Sequence, residues 1–280
     1  MKKIVILPFK NGGFWVNFIK LLKIPNYMVD WQIISLETEP TACVIGDYFE
    51  AIFKDKIMRI KANINMYYKK TSIDMLIKSI VKSTETRKLI LGCSGYFHHY
   101  TYGLCRHADN HSQNYGYFHF DHHNDFWSYM PKRKEIHCGG FVDQILQDTN
   151  ASAAFFVGTK VMTWPKGKIF PRYLPNISEE ELRSKGGFIR KSGTNLLEER
   201  ISHLPHDAYL SFDLDVLSKS EMFSDFNQGD MGEQDLLSAL NIIKRNKQII
   251  GADIFGYAGK DIKSKSLRVY EHIVNSLLEA

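Results

Sequence analysis

The amino-acid sequence predicts an α/β fold, a three-layer sandwich around a central, mostly parallel, doubly wound sheet. Two observations favour this class. Short apolar segments with the length of buried strands alternate along the chain with segments of helical periodicity, which is typical of parallel βαβ units. The chain also contains no internal repeat and no low-complexity linker, so residues 1–280 are predicted to form one domain.

The first part of the chain predicts a strand at Lys3–Leu7, a helix at Phe14–Leu22, an extended segment at Tyr27–Leu36 and a helix at Ser72–Ser83. The helix at Ser72–Ser83 is predicted from apolar residues spaced three and four apart. Glu37–Cys43 is polar and contains a proline, so it is expected to be an irregular connection. Ala51–Tyr68 stays ambiguous between strand and helix.

The rest of the chain alternates regularly. Its predicted strands are Lys88–Gly92, Gly116–Phe120, Ala153–Gly158, Ala208–Phe212 and Ile249–Phe255. Its predicted helices are Phe141–Leu146, Ser178–Ser184, Asn195–Ile201, Gln234–Lys244 and Leu267–Leu278. Each predicted strand is a short apolar run bounded by glycine or polar residues, and Ser178 with the glutamates after it gives its helix a capping-box start.

Composition argues against several classes of function. The chain has 36 basic and 31 acidic residues and a formal charge of +5. No basic stripe with interleaved aromatic residues is present, so nucleic-acid binding is not expected. No stretch has the roughly 18 apolar residues that a membrane span needs. The four cysteines show no CxxC spacing, which favours a soluble, cytoplasmic protein, with homo-oligomer formation left open.

A charged cluster follows the predicted strand Gly116–Phe120. The segment Asp121–Asp125, DHHND, places two carboxylates and two imidazoles directly after an aromatic run. Residues two apart share a face in an extended chain, so Asp121, His123 and Asp125 are expected to converge. Because unpaired carboxylates are costly to bury, this set of oxygen and nitrogen donors favours a metal ion as its counter-charge.

A second pair of carboxylates, Asp213 and Asp215, follows the predicted strand Ala208–Phe212. The carboxyl ends of parallel strands gather at one edge of a sheet, where α/β proteins bind their ligands. We therefore expect Asp213 and Asp215 to lie beside Asp121–Asp125. Two such clusters at equivalent strand ends strengthen the prediction of a metal site.

A third predicted strand, Lys88–Gly92, is followed by His98 and His99 in the segment HHYTYG. Together the three segments resemble the metal-binding motifs of the ureohydrolases, the superfamily of arginases and agmatinases. That pattern is a Gly-rich loop with histidine, then D-x-H-x-D, then S-x-D-x-D, and the similarity runs from about residue 88 to 257. Counting back from Gly103 favours His98 as the matching ligand, with His99 as the alternative.

The resemblance implies an arginase-like fold and two Mn²⁺ ions per chain. One ion would be held by His98, Asp121, Asp125 and Asp213, and the other by Asp121, His123, Asp213 and Asp215. A carboxylate-rich donor set with two imidazoles suits Mn²⁺ better than ions that select thiolates. The resemblance also implies that Asp215, or a neighbouring carboxylate, collects a proton when water attacks, and that His137 carries a proton to the leaving amine.

Two departures from the family pattern concern the substrate. The family's last motif ends in a glutamate that grips a guanidinium group, and here Gly256 stands at that position. A guanidinium group forms its strongest contacts with a carboxylate that accepts two parallel hydrogen bonds, so either another acid binds it here or the substrate differs. The candidate replacements are Glu221, Asp225, Asp230 and Asp261. After Asp125 the chain also has the aromatic segment Phe126–Pro131, where enzymes that act on free arginine present small polar groups.

These departures resemble the divergent arginases that convert arginine within peptides to ornithine and urea, and a peptide is the substrate we predict. One alternative is a small guanidino or amidino compound, as for agmatinases and arginases. Another is a deacetylase-like amidohydrolase with one zinc ion, which would not need Asp125 and Asp215. A last alternative is a binding module without activity.

Overall fold

The computed structural model describes residues 31–37, 40–61, 67–80, 87–125, 135–159, 194–259 and 264–279. The described strands are β1 (Trp31–Glu37), β2 (Ile57–Lys61), β3 (Tyr67–Lys69), β4 (Arg87–Leu91), β5 (Tyr115–Phe120), β6 (Glu135–His137), β7 (Ala151–Val157), β8 (Asp207–Asp213) and β9 (Gln248–Phe255). The described helices are α1 (Pro40–Phe53), α2 (Lys70–Ile80), α3 (Thr101–Ala108), α4 (Val142–Asp148), α5 (Thr194–Ile201), α6 (Glu233–Asn246) and α7 (Lys265–Leu278).

Seven of the described strands form one sheet in the order β2-β1-β4-β9-β8-β5-β7, and all neighbouring pairs among them are parallel. The inner strands are buried on both faces and are therefore nearly continuous apolar runs; every residue of β5 is buried. The predicted α/β fold with its three layers is confirmed, and every described strand pair of its main sheet is parallel. Strands β4, β9, β8 and β5 lie side by side at its centre, so their carboxyl ends adjoin one another.

Helix α7 illustrates how the helices are fixed to this sheet. It buries an apolar face that includes Leu267, Tyr270 and Val274. The Tyr270 hydroxyl lies 3.0 Å from the carbonyl oxygen of Gly92 and 3.1 Å from that of Ile254, joining α7 to the ends of β4 and β9. Among the described helices, none is both long enough and apolar enough to cross a membrane.

The structure confirms most of the predicted elements after residue 87, with small shifts at their ends. Before residue 87 it confirms the helix predicted at Ser72–Ser83 and the described part of the extended segment that ends at Leu36, but it corrects one connection. The irregular connection predicted at Glu37–Cys43 is wrong, because α1 begins at Pro40. Proline is tolerated in a first helical turn, where its missing N–H would have no intrahelical partner. The elements predicted at Lys3–Leu7, Phe14–Leu22 and Ser178–Ser184 lie outside the described residues.

The charged segment Asp121–Asp125 also differs from its predicted geometry. Strand β5 ends at Phe120, so the segment does not continue it, and Asp125 adopts a left-handed backbone conformation with φ of 48°. Aspartate enters this region more readily than most residues. The donors of this segment therefore converge through a turn, and the extended alternation expected from the sequence is wrong.

Candidate metal centre

An inner donor group surrounds the Nδ1 atom of His98. This histidine lies in the short 3-10 helix Gly95–Tyr100 after β4 and is fully buried. Its Nδ1 atom is 3.3 Å from Oδ2 of Asp121, 3.4 Å from Oδ2 of Asp125 and 3.5 Å from Oδ2 of Asp213. These four residues are called the inner group below.

An outer donor group adjoins it and consists of Asp121, His123 and Asp215. The Nδ1 atom of His123 lies 2.9 Å from Oδ2 of Asp215 and 3.5 Å from Oδ1 of Asp121. Asp121 therefore turns one oxygen toward each group. The His123 side chain is 26% exposed, against 1% for His98, so the outer group opens to solvent and the inner group does not.

Backbone hydrogen bonds hold the carboxylates in place. The backbone N–H of His123 donates to Oδ1 of Asp121 at 2.6 Å, and that of His122 to Oδ1 of Asp215 at 3.0 Å. The backbone N–H of Asp215 donates to Oδ1 of Asp213 at 3.0 Å. For Asp213 and Asp215 these bonds leave Oδ2 to face the donor groups.

Burial and mutual repulsion shift the pKa values of these groups. Burial, together with the charge of Asp121, raises the pKa of Asp125 and that of Asp213 to about 6. Burial and the charges of Asp213 and Asp121 raise the pKa of Asp215 well above its usual value. Burial alone would lower the pKa of His123, but Asp121 and Asp215 raise it to about 11. The carboxylates thus lack enough positive charge of their own, which bound cations would supply.

The donor atoms fit divalent cations. Nδ1 of His98 and Oδ2 of Asp215 are buried without a hydrogen-bond partner in the described part of the chain. Neighbouring ligands that each lie about 2.1 Å from one ion are about 3 Å apart, and the donor pairs measured in the two groups are 2.9–3.5 Å apart. Oxygen and imidazole donors without thiolates suit Mn²⁺ and related ions.

A buried carboxylate behind the inner group orients His98. The Nε2 atom of His98 is 2.8 Å from the Ser211 hydroxyl, which donates to Oδ1 of Asp253 at 2.8 Å. Asp253 also accepts hydrogen bonds from the hydroxyls of Tyr209, at 2.7 Å, and Thr101, at 3.0 Å. Because Ser211 gives its proton to Asp253, it accepts the Nε2–H of His98, and the lone pair of Nδ1 faces the carboxylates. Such bonds fix the tautomer and orientation of a ligating histidine.

The structure brings together all six residues predicted from the sequence as ligands, namely His98, Asp121, His123, Asp125, Asp213 and Asp215. His99, the alternative to His98, belongs to neither group, and burial lowers its pKa to about 3. The sequence analysis missed His119, whose Nε2 atom is 3.2 Å from Oδ2 of Asp121, and the supporting residue Asp253. The available signal was the position of His119 two residues before Asp121, but this spacing does not distinguish a ligand from a histidine buried in the core.

His137 ends β6, which pairs antiparallel with β3 beside the central sheet. Its Nδ1 atom accepts a hydrogen bond from the backbone N–H of Gly139 at 2.9 Å, so the neutral ring carries its proton on Nε2. Burial lowers the pKa of His137. Burial, followed by the charges of Asp125 and Asp213, raises the pKa of the Cys138 thiol to about 12, which shows that this segment lies near the inner group.

Gly256 follows β9, at the position where the resemblance implies a guanidinium-binding glutamate. Its φ is 91°, in the region that favours glycine. A Cβ atom there would lie 2.1 Å from Oδ1 of Asp213 and 2.5 Å from the backbone nitrogen of Leu214. A side chain at this position would therefore displace Asp213, and this part of the site does not supply a carboxylate.

The acids suggested as replacements for that glutamate have different surroundings. Glu221 forms an ion pair with Lys265 at 2.7 Å. Asp225 and Asp230 are exposed, and Asp261 lies outside the described residues. The structure therefore singles out none of them as the partner of a guanidinium group.

Aromatic rings border the outer group. The ring of Phe226 lies 6.1 Å from that of His123 and 4.6 Å from that of Tyr96, measured between centroids. Tyr96 is 41% exposed, and Phe223 in the same loop as Phe226 is 62% exposed. The aromatic segment predicted at Phe126–Pro131 lies outside the described residues. A solvent-facing apolar surface thus adjoins the open side of the site.

Comparison with known proteins gives one family and one fold. A model of the arginase family matches residues 52–278. A hypothetical agmatinase from Burkholderia thailandensis superimposes with a TM-score of 0.61 and 18% identity, covering 89% of this chain and 84% of that chain. Proclavaminate amidino hydrolase from Streptomyces clavuligerus superimposes with a TM-score of 0.63 and 14% identity, and the match covers 89% of this chain and 90% of that chain. A formiminoglutamase from Trypanosoma cruzi, crystallised with Mn²⁺, superimposes with a TM-score of 0.61 and 12% identity, and the match covers 89% of this chain and 92% of that chain. No curated protein sequence matches the chain.

Proposed function

This chain belongs to the arginase family, and from that premise we propose that it hydrolyses a guanidino carbon–nitrogen bond with two divalent cations. The observation that carries the proposal is the position of Asp121, whose two oxygens face two separate donor groups. A carboxylate shared in this way suits a pair of closely spaced ions. The oxygen-rich donor set, taken as a whole, favours Mn²⁺.

The inner cation would be held by His98, Asp121, Asp125 and Asp213, and the outer cation by Asp121, His123, Asp213 and Asp215. When bound, two such cations lower the pKa of a water held between them, so that it becomes a nucleophile near neutral pH. Asp213 and Asp125 are almost fully enclosed, so the protein keeps bulk water away from the inner side. The substrate would approach over the exposed side of His123.

Asp215 and His137 are proposed to move the protons of the reaction. Asp215 has its Oδ2 atom buried and directed at the outer group, where it can accept a proton from the attacking water. His137 carries a proton on Nε2, which it would give to the leaving nitrogen. The new bond joins the water oxygen to the guanidino carbon. The bond from that carbon to the leaving nitrogen breaks, and the products are an amine and urea.

For the substrate, we propose an arginine side chain within a peptide, which would be converted to ornithine with release of urea. Gly256 favours a substrate that is held by contacts beyond its guanidinium group, because Asp213 and Leu214 leave no room at this position for the glutamate of the family pattern. The exposed rings of Tyr96 and Phe223 also support it, since solvent-facing aromatic residues are enriched where proteins bind partners. A peptide would supply contacts that a small guanidino compound lacks.

Mass spectrometry of an arginine-containing peptide tests this function. After incubation with Mn²⁺-loaded protein, each converted arginine should lose the mass of CH₂N₂, and urea should appear in equal amount. Free arginine and agmatine are assayed in parallel. If the peptide stays unchanged while free arginine or agmatine is hydrolysed, the substrate is a small compound and not a peptide. If the protein binds a single zinc ion and hydrolyses an amide, the reaction is that of a deacetylase and not of a guanidino hydrolase.

A further inference from the structure

A third imidazole lies against the inner group. His119, in β5, is fully buried, and its Nε2 atom is 3.2 Å from Oδ2 of Asp121 and 3.9 Å from Oδ2 of Asp125. Its ring stacks on that of His98, with centroids 5.3 Å apart and planes 8° from parallel. The ring of Phe156 lies nearly perpendicular to the His119 ring, with centroids 5.5 Å apart. His119 and His98 therefore present one nitrogen each to the same oxygen of Asp121.

The short distance between His119 and Asp121 does not amount to a hydrogen bond. Within the described chain, Nε2 of His119 is buried without a hydrogen-bond partner although Oδ2 of Asp121 is 3.2 Å away. Nδ1 of His98 shows the same combination. Leaving two buried nitrogens without partners is costly. Their separations from Asp121 match the roughly 3 Å expected between neighbouring ligands of one ion.

The opposite nitrogen of His119 is held as a ligand requires. Nδ1 of His119 lies 3.0 Å from the hydroxyl of Tyr117, which is also fully buried. The Tyr117 oxygen can accept Nδ1–H from His119, and the same hydroxyl also interacts with Ser211. That tautomer leaves the lone pair on Nε2. A hydrogen bond behind the ring is the usual companion of a metal-bound histidine.

We propose that His119 is an additional ligand of the inner cation, an inference that rests on the two-cation function proposed above. The inner cation then has two imidazoles, from His98 and His119, whereas the outer cation has one, from His123. Imidazole suits Fe²⁺, Zn²⁺ and Ni²⁺, while carboxylate suits Mg²⁺ and Mn²⁺. The inner position should therefore bind Fe²⁺, Zn²⁺ and Ni²⁺ more favourably than the outer position does, so the two positions differ in metal preference.

Loading the metal-free protein with Co²⁺ tests this assignment. In protein with isotope-labelled histidine, magnetic resonance counts the imidazole N–H groups that a bound Co²⁺ shifts. Three shifted rings are expected in the wild type, from His98, His119 and His123, and two in His119→Phe, which retains an aromatic ring. Calorimetry with Co²⁺ should show the inner affinity reduced by about a hundredfold or more in His119→Phe, with the outer affinity nearly unchanged.

His99→Phe is the matched control, because it makes the same change at a neighbouring buried histidine that belongs to neither group. It should keep three shifted rings. Two shifted rings in a wild type that binds two Co²⁺ would overturn the role of His119 and leave the two-cation function standing. A wild type that binds no pair of ions would overturn the proposed function itself. The wild-type count decides the question even if His119→Phe does not fold.

Discussion

The inner and outer donor groups share Asp121, yet the protein surrounds them differently. The inner His98 is enclosed by the rings of Phe141 and Phe255, at 4.8 and 5.7 Å between centroids. The outer His123 is 26% exposed. Burial makes the inner position a part of the core, whose ligands are fixed by packing, whereas the outer position can meet water and substrate. The proposed two-cation site therefore joins a closed position for retention to an open one for chemistry.

The largest effect should follow from Asp121→Asn, which damages both positions at once. The amide replaces one of the two oxygens that face the groups, so we expect loss of both cations and a fall in turnover of about a thousandfold or more. Metal analysis after gel filtration and the peptide assay measure the two effects. Asp207→Asn, at the opposite end of β8, is the control and should retain two ions. Full activity in Asp121→Asn would show that the groups do not share this carboxylate.

Gly256→Ala should damage mainly the inner position. The new Cβ would meet Oδ1 of Asp213 at 2.1 Å in a backbone with φ of 91°. Strain of this kind costs about 1–3 kcal/mol. Asp213 is a proposed ligand of both cations, but its Oδ2 atom faces His98, so its displacement should weaken the inner cation more than the outer one. Denaturant unfolding measures the loss of stability, and metal titration measures the affinity of each cation.

Gly232→Ala is the matched control for that change, because its Cβ would meet only Oδ2 of Asp235, at 3.4 Å. Gly256→Glu extends the comparison. Restoring the acid that the family pattern carries should not create activity on free arginine, since the side chain displaces Asp213. Gain of that activity with both cations retained would contradict the steric account.

His137→Asn should leave both cations bound and slow only the proton transfer. Asparagine keeps an acceptor for the backbone N–H of Gly139 but cannot exchange a proton near neutral pH. We expect turnover to fall by about a hundredfold, a typical contribution of general acid catalysis, with two cations retained. His206→Asn, at an exposed histidine, should change neither. A loss of cations in His137→Asn would make this residue part of the metal site instead.

The two positions also show how far the sequence predicts this molecule. The acids after β5 and β8 could be predicted because an apolar strand is buried whereas unpaired carboxylates are not. His119 could not be separated from an interior residue of an aromatic strand, because only the fold brings it beside His98. Gly256 was visible as a missing glutamate, but its contact with Asp213 depends on a backbone angle that no local pattern fixes. Helix α1 was missed because Pro40 resembles a break.

The smallest effect concerns how the metal-free protein responds to pH. Burial and Asp121 raise the pKa of Asp125 and Asp213 from 3.8 to about 6, so the folded state holds protons that the unfolded chain has lost. Its stability should therefore rise as the pH falls through this window. The pKa of His123, raised from 6.5 to about 11, acts in the same direction at higher pH. Its stabilisation is complete below pH 6.5 and is lost as the pH rises toward 11.

Thermal unfolding with a chelator present can separate the two positions on this basis. The Tm of the metal-free protein should rise as the pH is lowered from about 9 to about 5, by roughly 2–4 °C for each kcal/mol gained. Asp125→Asn should flatten the lower part of that curve and His123→Gln the upper part, because each removes one titrating group. With Mn²⁺ in excess the slope should reverse, since protons then compete with the cations for the same atoms. Equal flattening of both windows by either variant would show that the inner and outer groups titrate as one unit.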